Sequence, residues 1–183
     1  MRNILLIITL SFIPYLMKAQ ENGSIDSGWG IELNSKFNSQ ASPVIILPSI
    51  FYYKGKNQIE IGVGGQPFSL EEERSLGGEL NYKYFPNGRE NKFNMYFTMS
   101  FAYLNQLRKT YYPATYQYLF LNGGYGFQIT AFKGIYLGTN INLGIYTYSK
   151  QSENPYFETL GTIGLFSTFH ANASCEVKVG YCF

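Results

Sequence analysis

The chain has little of what catalysis, metal binding or a water-facing surface draws on. Its 183 residues include one His, one Trp and two Cys. One imidazole and two separated thiols cannot supply the usual ligands of a zinc site, so no metal is expected. Charged residues make up 14%, well below the roughly 25% of a typical soluble domain. Beyond residue 19 no apolar run approaches the ~20 residues that a spanning helix needs, which excludes a helical membrane protein. An excess of one charge is missing too. Without Arg2 and Lys18, twelve basic and twelve acidic residues remain. Nucleic acid, which wants a basic patch, is therefore not an expected partner. Cys175 and Cys182 fall in one apparent strand, where their separation of roughly 23 Å lies beyond disulfide reach. Their odd offset points them to opposite faces.

The first residues read as an export signal. Arg2 gives a positive start, and residues 4–17 are apolar except for Thr9, Ser11 and Pro14. That stretch is too short to span a bilayer as a helix, and Ala19 offers a small residue at which a peptidase could cut. With no cysteine near that point, a lipid-anchored lipoprotein is not expected. The organisation read from this is a signal peptide over 1–19, an N-terminal extension over 20–28 and one domain over 29–183.

Seventeen Tyr, fifteen Phe and nineteen Gly dominate the remainder, and from Trp29 onward they alternate with polar residues at period two. Trp29, Ile31, Leu33 and Phe37 oppose Gly30, Glu32, Asn34 and Lys36. Ile59, Ile61 and Val63 oppose Glu60, Gly62 and Gly64. Leu80, Tyr82 and Tyr84 oppose Glu79, Asn81 and Lys83. The row from Phe93 through Met99 to Tyr103 opposes Asn94, Tyr96, Thr98 and Ser100. Leu121, Tyr125, Phe127 and Ile129 oppose Asn122, Gly124, Gly126 and Gln128. Ile135, Leu137, Ile141, Leu143 and Ile145 oppose Tyr136, Asn140, Asn142 and Gly144. Charges share a face with Asn and Gly, whereas a soluble barrel would be apolar inside and charged outside. Segments of this length, apolar on one face and polar or glycine on the other, are the pattern of transmembrane β-barrels. The predicted fold is all-β: an antiparallel up-and-down transmembrane barrel of eight strands, with ten as the alternative.

Two stretches resist phasing. Residues 43–53 are apolar on both faces, and Pro48 weakens that strand. From Phe157 to Phe183 one parity persists for about 27 residues, too long for one spanning strand. It is either one tall strand or two joined near residues 170–174. That leaves nine candidate segments, whereas single-chain bacterial barrels have an even number. Loops are expected around residues 67–75, 105–115 and 149–156.

The stretches Ile50-Phe51-Tyr52-Tyr53-Lys54-Gly55-Lys56, Tyr82-Lys83-Tyr84-Phe85-Pro86-Asn87, Gly123-Gly124-Tyr125-Gly126-Phe127 and Gly180-Tyr181-Cys182-Phe183 resemble the generic bacterial outer-membrane β-barrel protein family. The resemblance spans nearly all of the predicted domain. It implies a porin-like barrel in the outer membrane, surrounded by outer-membrane lipid. Tyr181 and Phe183 are similar to the terminal aromatic signal by which such barrels reach the outer-membrane insertion machinery. The motifs carry no chemistry.

Candidates for chemistry fail on geometry. His170-Ala171-Asn172-Ala173-Ser174-Cys175-Glu176 is similar in flavour to the His-x-Ser-Asn motif of outer-membrane lipid A deacylases, but Asn172 stands at the Ser position. On a strand His170 and Ser174 would lie about 13 Å apart, beyond the hydrogen-bond reach a nucleophile and base need. Gly62-Val63-Gly64-Gly65 precedes no helix and is not a phosphate loop. Glu71, Glu72 and Glu73 read as a solvated loop run rather than a calcium site. No catalytic residue and no cofactor are expected. Glu32, Lys36, Glu60, Glu79, Lys83, Glu176 and Lys178 all take the lumen parity, in both signs. Buried charges need partners, so a plugged lumen cross-linked by ion pairs is expected. The functional expectation is a non-enzymatic envelope scaffold, or a binding protein whose loops contact an envelope protein. The alternatives are a small gated channel and a lipid-modifying barrel enzyme.

Overall fold

The computed structural model describes residues 27–38, 44–67, 73–109, 113–132, 134–152 and 164–183. The expected signal peptide lies outside these residues. Eight strands form: β1 (Ser27–Asn38), β2 (Ile45–Lys54), β3 (Asn57–Gly65), β4 (Glu73–Tyr84), β5 (Phe93–Arg108), β6 (Ala114–Phe132), β7 (Ile135–Ser152) and β8 (His170–Cys182). Each pairs antiparallel with its sequence neighbours, and β1 also pairs with β8, so the sheet closes into an up-and-down barrel with no free edge.

The count settles at eight because the described part of the C-terminal run, residues 164–183, yields one strand. β8 runs unbroken from His170, with no junction over 170–174, and residues 164–169 precede it as turn and irregular backbone. Ser27 and Gly28, placed by the sequence pattern in the extension, pair with Lys54 and Tyr53 and belong to β1.

Side-chain alternation decides the faces. The outward rows are apolar: Ile31 and Leu33 on β1, Ile61 and Val63 on β3, Phe97 and Met99 on β5, Ile141 and Leu143 on β7 are all exposed. β2, which the sequence left unphased, turns Pro48, Ile50 and Tyr52 outward and Ile45, Leu47, Ser49 and Phe51 inward. Pro48 stays within the ladder opposite Leu33. Tight turns sit at one end. Gly55 and Gly134 take φ of 55° and 78°, the left-handed values that short hairpin turns demand and glycine adopts without steric cost.

β5, β6 and β7 have 16, 19 and 18 residues, against the 9–11 that cross a bilayer. Residues 105–108, 114–115 and 149–152, expected as loop, are strand. Outward, the apolar rows end at Tyr103, Leu119 and Ile145, and Asn105, Gln117 and Thr147 follow. The five or so residues of each of these strands at the loop end therefore rise roughly 12 Å beyond the apolar band. Glu73 to Ser75, also expected as loop, begin β4. Glu71 and Glu72 lie outside the described residues.

Candidate functional site

The interior of the barrel is where the sequence placed its charges, and the structure brings all seven into one chain of opposite signs. All seven are buried. Lys36 Nζ lies 2.8 Å from Glu79 Oε1 and 3.3 Å from Glu176 Oε1. Lys178 Nζ lies 2.8 Å from Glu176 Oε2 and 3.3 Å from Glu32 Oε1. Lys83 Nζ donates to both Glu32 oxygens, at 2.8 and 2.9 Å, and sits 2.7 Å from Glu60 Oε2. The order is thus Glu79, Lys36, Glu176, Lys178, Glu32, Lys83, Glu60, with a carboxylate at each end. These residues come from β1, β3, β4 and β8, so the chain of charges ties together strands on one side of the lumen.

Neutral groups complete the lone pairs, and the sequence pattern did not single them out. Asn34 Nδ2 and Ser49 Oγ donate to Glu60 Oε1 at 2.5 and 2.9 Å. Asn142 Nδ2 donates to Glu176 Oε1 at 3.2 Å, and the Tyr136 hydroxyl donates to Glu32 Oε2. Asn34, Asn142 and Tyr136 were legible as inward by parity. Their choice of partner depends on cross-barrel distances that no local pattern contains.

Apolar side chains lie above and below the charges. Towards the long-strand end, Ile45, Leu47, Leu104, Tyr118, Phe120 and Tyr146 form a buried cluster. Towards the tight-turn end, Phe51 meets Tyr136 edge-on at 6.2 Å and Phe85 packs on Tyr96 at 5.2 Å. The turn after β4 folds Arg89 beneath this layer. Its guanidinium carbon lies 4.1 Å from the Tyr53 ring centroid and 5.0 Å from that of Phe85, and Nη2 donates to Cys182 Sγ at 3.4 Å. Cys182 therefore faces inward, and Cys175 is exposed on the outer wall.

Inward glycines make room for the rings. A Cβ on Gly180 would stand 2.2 Å from Tyr136 Cζ, and one on Gly30 would stand 2.2 Å from Phe51 Cζ. Each ring occupies the space that a side chain would fill at the facing glycine of the neighbouring strand.

The histidine takes no part in the charged chain. His170 stacks on Tyr146 with centroids 5.2 Å apart and packs tilted against Tyr148 at 5.8 Å. Glu176, which a deacylase-like reading would enlist beside it, is engaged by Lys36 and Lys178. Among the described residues no group of His, Cys, Asp or Glu could hold a metal ion. At the long-strand rim, Arg108 Nε lies 3.3 Å from Glu73 Oε1 and its guanidinium sits over Tyr116 at 5.0 Å. Tyr181 and Phe183 pack edge-on at 5.1 Å, and the Phe183 N–H donates to the Trp29 carbonyl at 2.9 Å.

No family model and no curated protein matches the sequence. Solved structures do. The N-terminal β-barrel domain of OprF from Pseudomonas aeruginosa aligns with a TM-score of 0.62 at 14% identity, over 86% of this chain and 98% of that one. The fold is that of the eight-stranded outer-membrane barrels. A major outer membrane protein from Thermus thermophilus aligns over 86% of this chain and 99% of its own, with a TM-score of 0.50 and 10% identity. Neisserial surface protein A covers 88% of this chain and 100% of its own at 7% identity and a TM-score of 0.49. At these identities the likeness is one of fold, and no residue's role transfers with it.

Proposed function

We propose that the protein is an integral barrel of the bacterial outer membrane with a plugged, non-conducting lumen, acting at its loop end as a scaffold or binding protein for an envelope partner. The observation that carries this reading is the chain of seven alternating charges held between two apolar layers. Its carboxylates and ammoniums face one another at pairing distance instead of lining an open path. A water-filled pore of similar charge would leave them solvated. The outward apolar rows support the location, because a band of exposed Ile, Leu, Phe and Met is stable only against lipid. The loop end is the site of action because β5–β7 carry Tyr116, Tyr148, Arg108 and Lys150 beyond that band.

Planar-bilayer recording of the purified protein tests the closed lumen. Insertion without conductance steps is expected. Regular steps whose size changes in Glu32→Gln would instead establish the gated channel. Fractionation tests the location: the chain is expected with the outer membrane and with heat-modifiable migration in detergent gels, and recovery in the soluble periplasm contradicts it.

A further inference from the structure

Residues 164–169 lie against the outside of the barrel wall. Thr147 belongs to the outward row of β7, directly after Leu143 and Ile145, yet it is only 3% exposed while Leu143 is 67% exposed. What ties the segment there is the backbone N–H of Phe166, which donates to Thr147 Oγ1 at 3.0 Å. Phe166 holds a φ of 66°, uncommon for a bulky residue and maintained only where surroundings over-determine it. A turn closed by Ser167 N donating to the Gly164 carbonyl surrounds it.

That conformation leaves two large rings unburied. Phe166 and Phe169 are 61% and 60% exposed, with centroids 6.4 Å apart. Neither turns inward to the apolar cluster. Phe169 leads straight into the outward row of β8 through Ala171 and Ala173, so the pair is continuous with the apolar band at its upper margin. Thr147 marks the same level on β7, where apolar residues give way to Ser149.

We infer that residues 164–169 form a membrane foot, whose phenyl rings of Phe166 and Phe169 insert into the headgroup–acyl boundary of the lipid on the loop side. The inference rests on the barrel spanning a membrane. Lipid is the occupant because the rings prolong the lipid-facing rows without a break and no charged side chain lies between them. Aromatic residues at both edges of the apolar band are the rule in such barrels; here a segment outside the barrel supplies them. The foot pins the approach to β8 on the membrane surface, to the side of the lumen mouth.

Single-tryptophan fluorescence tests this. In a Trp29→Phe background, Phe166→Trp, Phe169→Trp and Leu143→Trp are each refolded into phosphatidylcholine vesicles brominated either high or low on the acyl chains. The foot positions are expected to lose emission with high bromination and to resist aqueous iodide, while Leu143→Trp is quenched by low bromination. If Leu143→Trp responds to lipid but both foot positions are quenched by iodide alone, the foot is overturned and the spanning barrel stands. If the foot positions are shielded from both quenchers, protein covers them, a second copy included, and the lipid assignment is likewise overturned. If Leu143→Trp fails to respond to brominated lipid, the spanning reading itself falls.

Discussion

A lysine between two carboxylates shows how the interior is balanced. Lys83 is flanked by Glu32 and Glu60, and its methylenes run beside the Tyr96 ring, with Nζ 5.5 Å from the centroid. Removing its charge leaves both carboxylates buried without this counterion. Lys83→Met is expected to cost about 3–5 kcal/mol, the range for breaking a buried pair from one side. Arg108→Gln at the rim breaks a pair whose side chains are about one-third exposed. Such solvated pairs contribute ~0–1 kcal/mol. Urea unfolding of both variants in lipid vesicles checks the contrast, and comparable losses would mean that the lumen is wet enough to screen its charges. Gly180→Ala makes the steric case. The added methyl displaces Tyr136 and with it the hydrogen bond to Glu32, for an expected loss of roughly 1–3 kcal/mol, read in the same assay. Ala at Gly55, whose Cβ meets nothing, is the control for backbone strain alone.

At the level of strands, parity was readable and partnership was not. Glu32, Lys36, Glu79 and Lys83 read as inward because the other parity of their strands is mostly apolar, as in Ile31 and Leu33 or Leu80 and Tyr82. The pairing of Lys36 with Glu79, or of Lys83 with Glu32, follows from closure and register, which bring β1, β4 and β8 within side-chain reach across the lumen. β2 was opaque because Ile45, Leu47 and Phe51 face inward while Ile50 and Tyr52 face outward, so hydrophobicity does not alternate. Inward apolar side chains concentrate above and below the charges, and β2 contributes to both groups through Ile45, Leu47 and Phe51. Lengths failed for a related reason. Above the band, β5–β7 mix polar outward residues such as Asn105, Gln117 and Ser149 with the inward aromatics Tyr116 and Tyr148 and the inward polar Gln106, a mixture that reads as loop. The last strand carries a proposal as well. Phe183 closes against Trp29 through its backbone and against Tyr181 through its ring. If that aromatic pair is the feature recognised by the insertion machinery, Phe183→Ala is expected to slow assembly several-fold in cells. Its unfolding midpoint in vesicles would change little, because the backbone hydrogen bond survives. Pulse-chase followed by heat-modifiability gels would show precursor accumulating. Assembly at the normal rate removes the signal role.

For the molecule as a whole, two environments are combined in one sheet. Inside, ions are paired and capped by aromatic layers; outside, a continuous apolar wall has no protein against it among the described residues, apart from the segment over Thr147. The wall makes sense only in lipid, and the cost of a charge on it depends on depth. Leu143 lies near the middle of the apolar rows, opposite Gly123, which in turn pairs with Met99. Phe132 is equally outward and 76% exposed, but it sits at the tight-turn end of β6. The decisive measurement is the unfolding free energy in vesicles of Leu143→Arg beside Phe132→Arg. Lipid around the wall gives a loss of about 2–4 kcal/mol for Leu143→Arg and ~0–1 kcal/mol for Phe132→Arg. Small, equal losses at both positions would mean that water surrounds the wall, and the membrane reading would be wrong.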